Sequence, residues 1–275
     1  MHNQHELAAR FRALHAGPGI FVMPNVWDGG SAAVMAGLGF PALATSSAAC
    51  AAALGRLDGE ITREEALAHA RLIAAVSPCP VAADLENGFG AAPEAAAETI
   101  RLAAGTGLVG GSIEDASGDP GAPIYAFAHA VERVAAAAEA AHALPFAFTL
   151  TARAENFLHG RDDLDGTVRR LQAFARAGAD VLFAPGLPDL AAVRTVCSAL
   201  DKPVNFMIGM RGTAFSVAEL AAAGVKRISL STSLYRAAIS AVLAAGREVR
   251  DLGSFGYVDT LVSGDELRRF LRPPA

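Results

Sequence analysis

Eight short apolar segments alternate along the chain with longer Ala- and Leu-rich stretches. Each segment is apolar throughout, not only at every second position, which predicts strands buried on both faces of a parallel sheet. No Gly-x-Gly-x-x-Gly fingerprint follows the first segment. An α/β fold of the closed (β/α)8 TIM-barrel type is therefore favoured over a dinucleotide-binding open sheet. The predicted strands are residues 20–26, 42–46, 81–85, 111–114, 147–151, 181–184, 204–208 and 227–230.

Local signals predict that the stretches between these strands are helices. Thr62 followed by Glu65 has the spacing of a capping box, and Pro93 suits the first turn of a helix. Gly178 and Gly224 directly follow two helical patterns, as C-terminal signals do. Further helices are predicted at residues 125–143, 163–177, 187–199 and 216–223.

The chain length suits one barrel domain covering residues 1–275, because such a barrel typically needs about 250 residues. The segment from about residue 234 to residue 275 is longer than an eighth barrel helix requires. We therefore predict extra C-terminal helices there. Two arrangements stay open: the helices pack on or are swapped with another subunit, or they cap their own barrel.

The composition excludes several classes of partner. Net charge is −5 and no basic stripe is present, so a nucleic-acid partner is not expected. No apolar run reaches the roughly 20 residues that span a membrane, and residues 1–12 lack an apolar leader, which predicts a cytoplasmic enzyme. Cys50, Cys79 and Cys197 share no metal-type spacing and are expected to be small buried residues.

Acidic residues concentrate where the predicted strands end, which is the catalytic end of such barrels. Asp84 and Glu86 lie two apart, so on an extended strand they would point to the same side, and Glu114 ends the next strand. A cluster of oxygen ligands favours Mg²⁺, with Mn²⁺ as an alternative, over Zn²⁺. The alternative interpretation is a set of surface carboxylates that bind nothing.

Other polar residues at the same end suggest how a substrate would be held. Arg153 is the natural partner of a substrate carboxylate, although a structural salt bridge to Glu155 or Glu114 is the alternative. Ser46 and Ser47 could bind oxyanions through backbone N–H groups and a hydroxyl.

The positions of the two lysines in the sequence bear on the type of reaction mechanism. Lys202 and Lys226 each precede a predicted strand and therefore lie at the opposite mouth of the barrel. A Schiff-base aldolase needs a lysine at the catalytic end, and this chain offers none. If the barrel cleaves C–C bonds, the electron sink is expected to be a metal.

These segments together resemble the isocitrate lyase/phosphoenolpyruvate mutase superfamily, close to its methylisocitrate lyase-like and oxaloacetate decarboxylase-like members. The resemblance covers about residues 21–236. It rests on the segments Pro-Asn-Val-Trp-Asp-Gly-Gly-Ser-Ala at residues 24–32, Thr-Ser-Ser at 45–47, Leu-Gly-Arg-Leu-Asp at 54–58, Asp-Leu-Glu-Asn-Gly-Phe-Gly at 84–90, Ile-Glu-Asp at 113–115 and Thr-Ala-Arg at 151–153.

The resemblance implies roles for individual residues. Asp84 would contact Mg²⁺ directly, whereas Glu86 and Glu114 would hold it largely through water. A small 2-oxo acid, similar to pyruvate, oxaloacetate or 2-oxoglutarate, would chelate the metal, and Asp58 would sit over the reacting carbon. The residues expected to bind the rest of the oxo acid are Ser46, Ser47, Ala48, Asp84, Arg153 and Asn205, with Ser46, Asp58 and Arg153 as the catalytic set. A homotetramer with swapped C-terminal helices is also implied.

The sequence departs from this family at two points. Residues 116–123 contain neither the Cys and His of the lyase branch nor the Lys, Asn or Thr of the mutase and hydrolase branches, and Ser47 replaces a usual Gly. The preferred prediction is a Mg²⁺-dependent C–C bond lyase or carboligase that works through a metal-bound enolate. Two alternatives remain: a phosphonopyruvate hydrolase-like P–C bond enzyme, and a 2-oxo-acid-binding protein with little turnover.

Overall fold

Eight short parallel strands form a nearly closed barrel in the computed structural model, which describes residues 3–210, 212 and 215–271. Neighbouring strands pair in the order β1-β8-β7-β6-β5-β4-β3-β2. A single backbone bridge between Asn25, just after β1, and Ala44 of β2 brings the two ends of the sheet together. The strands are β1 (Phe21–Met23), β2 (Leu43–Ala44), β3 (Val81–Asp84), β4 (Gly110–Glu114), β5 (Thr149–Arg153), β6 (Val181–Phe183), β7 (Val204–Met207) and β8 (Arg227–Ser229). The predicted (β/α)8 barrel is confirmed.

Helices surround the barrel and follow the predicted signals. Thr62 forms a capping box with Glu65, and Pro93 begins a helix, as predicted. Gly178 and Gly224 take φ values of 107° and 93°, which suit a residue directly after a helix. The helices are α1 (Gln4–Ala16), α2 (Gly29–Gly37), α3 (Ser47–Ala53), α4 (Arg63–Val76), α5 (Pro93–Ala104), α6 (Phe127–His142), α7 (Leu164–Arg176), α8 (Leu190–Ser198), α9 (Val217–Ala222), α10 (Ser233–Leu252) and α11 (Gly264–Leu271).

The N-terminal helix α1 packs at the end of the barrel opposite the predicted catalytic end. Its buried Leu7, Ala8 and Phe11 join a core cluster with residues of β1 and β2. Phe11 lies directly against Gly110 at the start of β4, where an added Cβ would come within 2.9 Å of the phenyl ring. Gly110 is therefore needed for this close packing.

The C-terminal extension is helical, as predicted, and its two helices differ in their environment. Phe270 of α11 packs against Gly37 of α2, so α11 covers its own barrel. None of the 20 residues of α10 is buried. The structure thus bears out own-barrel packing for α11, whereas swapping between subunits stays a prediction. No helix among the described residues is long and apolar enough to cross a membrane.

Candidate active site

A cavity of about 170 Å³ opens at the carboxyl ends of the strands, where sequence analysis placed the site. It brings together all the residues predicted to bind or transform the substrate: Ser46, Ser47, Ala48, Asp58, Asp84, Arg153 and Asn205. Glu86 and Glu114 do not line this cavity, although they lie close enough to interact with Asp84 and Arg153. The predicted residues therefore share one end of the barrel.

Arg153, the last residue of β5, is the hub of the acidic cluster. Its Nη1 lies 2.9 Å from Asp84 Oδ1 and 3.1 Å from Glu114 Oε2, and its Nε donates to Glu155 Oε1 at 2.7 Å. The guanidinium also lies 5.2 Å from the centre of the Phe183 ring. The salt bridges to Glu114 and Glu155, considered in the sequence as an alternative role, are present together with a third to Asp84.

The charges in this cluster shift the protonation of its members. Burial by itself would lower the pKa of Arg153, but the charges of Glu155, Glu114 and Asp84 raise it well above its usual value, so the guanidinium stays charged. Loss of hydration raises the pKa of Glu114, and Arg153 opposes that shift. In residues 3–210, 212 and 215–271, no three His, Cys, Asp or Glu side chains already converge as a metal site. The carboxylates converge on Arg153.

The two carboxylate oxygens of Asp84 contact different partners, Arg153 and Ser47. Its Oδ1 faces Arg153, while its Oδ2 accepts from the Ser47 hydroxyl at 3.1 Å and lies 3.4 Å from the Ser47 backbone nitrogen. The backbone N–H of Asp84 donates to Thr45 Oγ1 at 3.1 Å, which ties β3 to the end of β2. The Asp84 carboxylate is thus fixed in place, with its side chain 19% exposed toward the cavity.

Glu86 lies near the acidic cluster, but its backbone is in a turn and not in the predicted extended strand. Strand β3 ends at Asp84, and Glu86 lies in the following turn with φ of 49°, so the two residues do not share an extended strand. Its Oε1 is buried without a hydrogen-bond partner among the described residues. Loss of hydration, with the charges of Asp84 and Asp58, raises its pKa to about 7 despite Arg153.

A side chain of α6 binds the backbone of the turn that carries Glu86. The buried guanidinium of Arg133 donates to the backbone carbonyls of Asn87, Gly90, Ala91 and Ala92. Four carbonyls on one planar donor fix the path of this loop, because the fork of the guanidinium sets their relative positions. Arg133 therefore positions the acidic turn without touching the cavity.

Ser46 and Asp58 lie at the upper part of the cavity. Ser46 is the N-cap of α3, and its Oγ accepts from the Ala49 backbone N–H at 3.3 Å, which leaves the hydroxyl proton free to donate. Asp58 lies in the exposed loop between α3 and α4. Loss of hydration and the charge of Asp84 raise its pKa, while the charge of Arg153 opposes the shift.

Asn205 of β7 lies deeper in the barrel with a fixed amide orientation. Its Oδ1 accepts from Arg227 Nε at 2.8 Å, and its Nδ2 donates to Ser229 Oγ at 3.0 Å. Because an arginine can only donate, the amide oxygen must face Arg227. This assigns the NH₂ group to the Ser229 side.

The loop after β4 folds back on itself. Ala116 and Ile124 form an antiparallel bridge, and the Ser117 hydroxyl donates to the Ala122 carbonyl at 2.6 Å. Asp119 Oδ1 accepts from the Gly121 N–H at 2.8 Å, so the polar side chains of the loop satisfy its own backbone. Their hydrogen bonds make the loop a compact hairpin.

Sequence reasoning did not assign three residues of this region. Glu155 was considered only as a salt-bridge partner, and Thr45 and Arg227 were not singled out. The alternation Arg227-Ile228-Ser229 carried a usable signal: Ile228 packs outward with Leu220, so its neighbours must face the barrel interior.

Fold and site together define a barrel enzyme with an acidic, arginine-centred site at the carboxyl ends of its strands. The family model for phosphoenolpyruvate phosphomutase matches residues 11–250. The chain therefore belongs to this family. Its relatives are lyases and mutases of the phosphoenolpyruvate mutase/isocitrate lyase superfamily, which act on C–C or P–C bonds. The family predicted from the sequence is confirmed.

Three relatives illustrate this similarity. A crystal structure from Burkholderia cenocepacia J2315, described no further than as a lyase or mutase, is 52% identical with a TM-score of 0.96, over 98% of this chain and 97% of that one. Oxaloacetate decarboxylase of Chromohalobacter salexigens is 29% identical over 92% of this chain and 88% of its own. The 2-methylisocitrate lyase of Bacillus subtilis is 31% identical over 67% of this chain and 62% of its own.

Proposed function

We propose that this protein is a Mg²⁺-dependent lyase that cleaves the C–C bond one carbon away from the keto group of a small 2-oxo acid, so that the keto oxygen can take up the electron pair. The observation that carries the proposal is the single cavity in which the Asp84 carboxylate faces Arg153, Ser46 and Asn205. A carboxylate and several hydrogen-bond donors that line one cavity suit a metal-chelating, anionic substrate. The oxaloacetate decarboxylase relative is named for a substrate of this kind, and the 2-methylisocitrate lyase relative is named as a lyase.

The residues present fit a hard divalent cation. The buried, unpartnered Oε1 of Glu86 is an oxygen that protein groups leave unsatisfied, and such a group usually indicates an ion or water. Asp84, Glu86 and Glu114 offer oxygen donors only, which Mg²⁺ prefers and Mn²⁺ accepts. When bound, the cation supplies Lewis-acid polarisation of the substrate's keto group.

The protein's own groups bind and orient the acid. Arg153 uses Nε and Nη1 for protein carboxylates, and Nη2 has no partner among the described residues, so it can donate to a substrate carboxylate. The free hydroxyl proton of Ser46 adds a neutral donor on the opposite wall. Asp58, whose pKa is raised mainly by loss of hydration, lines the same cavity and is placed to hold a proton at its rim.

A substrate panel tests this proposal. Purified protein with Mg²⁺ is given oxaloacetate, 2-methylisocitrate and phosphonopyruvate, and CO₂, 2-oxo acids and free phosphate are measured. We expect a C–C cleavage product that exceeds the amount formed by Mg²⁺ without protein and that falls to the background when the cation is omitted. Phosphate release alone would favour the P–C bond enzyme, and calorimetric binding without any product would favour the binding protein.

We also propose that the chain assembles as a homotetramer in which α10 packs on a partner subunit. Ile239, Val242, Leu243 and Val249 form an exposed apolar stripe at helical spacing along α10. A stripe of this kind on a helix with no buried residue is expected to be covered by protein. The implied exchange of C-terminal helices would cover it.

A further inference from the structure

The cavity continues below the acidic cluster into the interior of the barrel. Barrel interiors are usually filled by layers of bulky branched side chains. Here five strands line the cavity with small residues, whereas β1, β6 and β7 contribute Met23, Phe183 and Met207. The small residues are Ala44, Ala82, Ser112, Thr151 and Ser229. The space therefore extends from the predicted metal-binding carboxylates toward the middle of the barrel.

Arg227, the first residue of β8, lies at the inner end of this space and is only 4% exposed. Its Nε donates to Asn205 Oδ1 at 2.8 Å, and its Nη2 donates to Thr151 Oγ1 at 3.0 Å. Its Nη1 lies 3.2 Å from Nε2 of His15 in α1. These three contacts hold the guanidinium at a fixed depth.

All three acceptors of Arg227 are uncharged. His15 Nδ1 lies 2.8 Å from the Phe11 carbonyl oxygen, so it must donate there, and Nε2 is left to accept from Arg227. Burial, together with the nearby charge of Arg227, lowers the pKa of His15 to about 3, which keeps the ring neutral. The hydrogen bonds therefore orient the guanidinium without balancing its charge.

No ion pair joins Arg227 to a carboxylate in the described part of the chain, whereas Asp84, Glu114 and Glu155 all pair with Arg153. A guanidinium has five N–H groups, so two of its N–H groups remain beyond these three contacts. A buried charge that lacks a counter-charge is costly. A buried cation that lines a cavity and has unused N–H groups is consequently a site for an anionic group.

We propose that Arg227 is a specificity-determining residue that binds a second acidic group of the substrate, so that the site selects 2-oxo diacids over 2-oxo monoacids. The proposal rests on the proposed function, because the first carboxylate and the keto oxygen stay at the Asp84 end of the cavity. The second acid group points down into the barrel, toward the guanidinium, Thr151 and Asn205.

Pairs of ligands that differ only in the distal group test this assignment. 2-Oxoglutarate is compared with 5-methyl-2-oxohexanoate, and oxaloacetate with 4-methyl-2-oxopentanoate, in which an isopropyl group replaces the distal carboxylate. Affinities are measured by calorimetric displacement of oxalate from the full-length protein in Mg²⁺. We expect at least one diacid to bind about tenfold to a hundredfold more tightly than its partner, the range for a charged hydrogen bond.

Two variants assign the preference to Arg227. Arg227→Met should reduce the diacid-to-monoacid ratio to near one. His15→Glu places a counter-charge on the guanidinium from below and should have the same effect, while His15→Gln keeps a neutral acceptor and should retain the preference. Thermal unfolding checks that each variant is folded. If Arg227→Met does not fold, the diacid-to-monoacid ratio of His15→Glu tests the assignment instead.

The outcomes separate this inference from the proposed function. If oxalate does not bind in the presence of Mg²⁺, the proposed function itself fails. If oxalate binds but neither wild-type pair shows a preference for the diacid, the role of Arg227 is overturned while the proposed function stands. A preference that survives both Arg227→Met and His15→Glu would also overturn it.

Discussion

At the scale of single residues, Asp84 is the carboxylate that combines contacts to protein donors with a place in the cavity lining. It contacts Arg153 and Ser47 from two sides and still lines the cavity. We expect Asp84→Ala to lower turnover of the cleaved substrate by at least about a hundredfold, the scale of losing one key stabilising group. Glu94→Ala on the exposed first turn of α5 is the control and should leave turnover unchanged. Near wild-type turnover in the Asp84 variant would remove the basis for its metal role.

His15 makes a second residue-level prediction, about stability. Its pKa is lowered from 6.5 to about 3, mainly by burial, so between these pH values the unfolded chain binds more protons than the folded one. Stability therefore falls as pH drops below 6.5. In His15→Gln this loss is absent, so at pH 5 the wild type should lose about 2 kcal/mol relative to the variant.

Urea unfolding of both proteins at pH 7.5 and pH 5.0 measures that difference. Other titrating groups are common to the two proteins and cancel in the comparison. An identical stability gap at the two pH values would show that His15 is not held neutral by the fold.

At the scale of elements, the turn between β3 and α5 depends on a close backbone approach. Gly88 has φ of 80°, and a Cβ there would lie 2.9 Å from Ala96 Cα, whereas Gly118 has φ of 78° with open space around it. Gly118→Ala should cost about 1–2 kcal/mol for its left-handed conformation. Gly88→Ala should cost about 1–3 kcal/mol more, because α5 must move away.

Chemical denaturation of the two glycine variants provides the test, with the difference between them as the readout. If Gly88→Ala and Gly118→Ala lower the free energy of unfolding equally, α5 can move away from residue 88 without a loss of stability. Hydrogen exchange at residues 86–92 should also rise only in Gly88→Ala, since these residues form the turn that α5 supports.

The same elements show where sequence reasoning succeeded and where it failed. The capping box at Thr62 and the glycine at position 178 act locally, so their signals gave helix ends correctly. Strand β2 was predicted at 42–46 but spans only Leu43–Ala44, because Ser46 leaves the strand to cap α3. The position of Glu86 was inferred by extending β3 past its real end, and no periodicity reveals where a strand turns.

At the scale of the whole molecule, the barrel followed from eight apolar segments, since parallel strands buried on both faces have few alternative architectures. The common end of the barrel then determined which residues meet in the candidate site. The pairing of Arg153 with three acids was less predictable, because it depends on the directions of side chains from β3, β4 and β5. Arg227 was missed because, next to Lys226, it resembles an ordinary surface charge.

The proposed assembly is testable at the exposed stripe of α10. Val242 is 65% exposed in the single chain, and Val242→Asp would place a charge within an apolar subunit contact. We expect this variant to dissociate into smaller species in light scattering after size-exclusion chromatography. Ala237→Asp introduces the same charge on the opposite, exposed side of the helix and should keep the wild-type mass. A wild-type protein that is monomeric, or a Val242 variant of unchanged mass, would contradict the proposal.

The placement of Arg153 among its acids has a consequence for the apoprotein. The guanidinium already neutralises part of the charge of Asp84, Glu114 and Glu155, so these side chains do not depend on an ion to coexist. Unlike small zinc domains, which unfold when stripped of metal, this protein should keep its structure under a chelator. We expect excess EDTA to abolish turnover while shifting the melting temperature by less than about 3 °C, the shift that about 1 kcal/mol produces at this size.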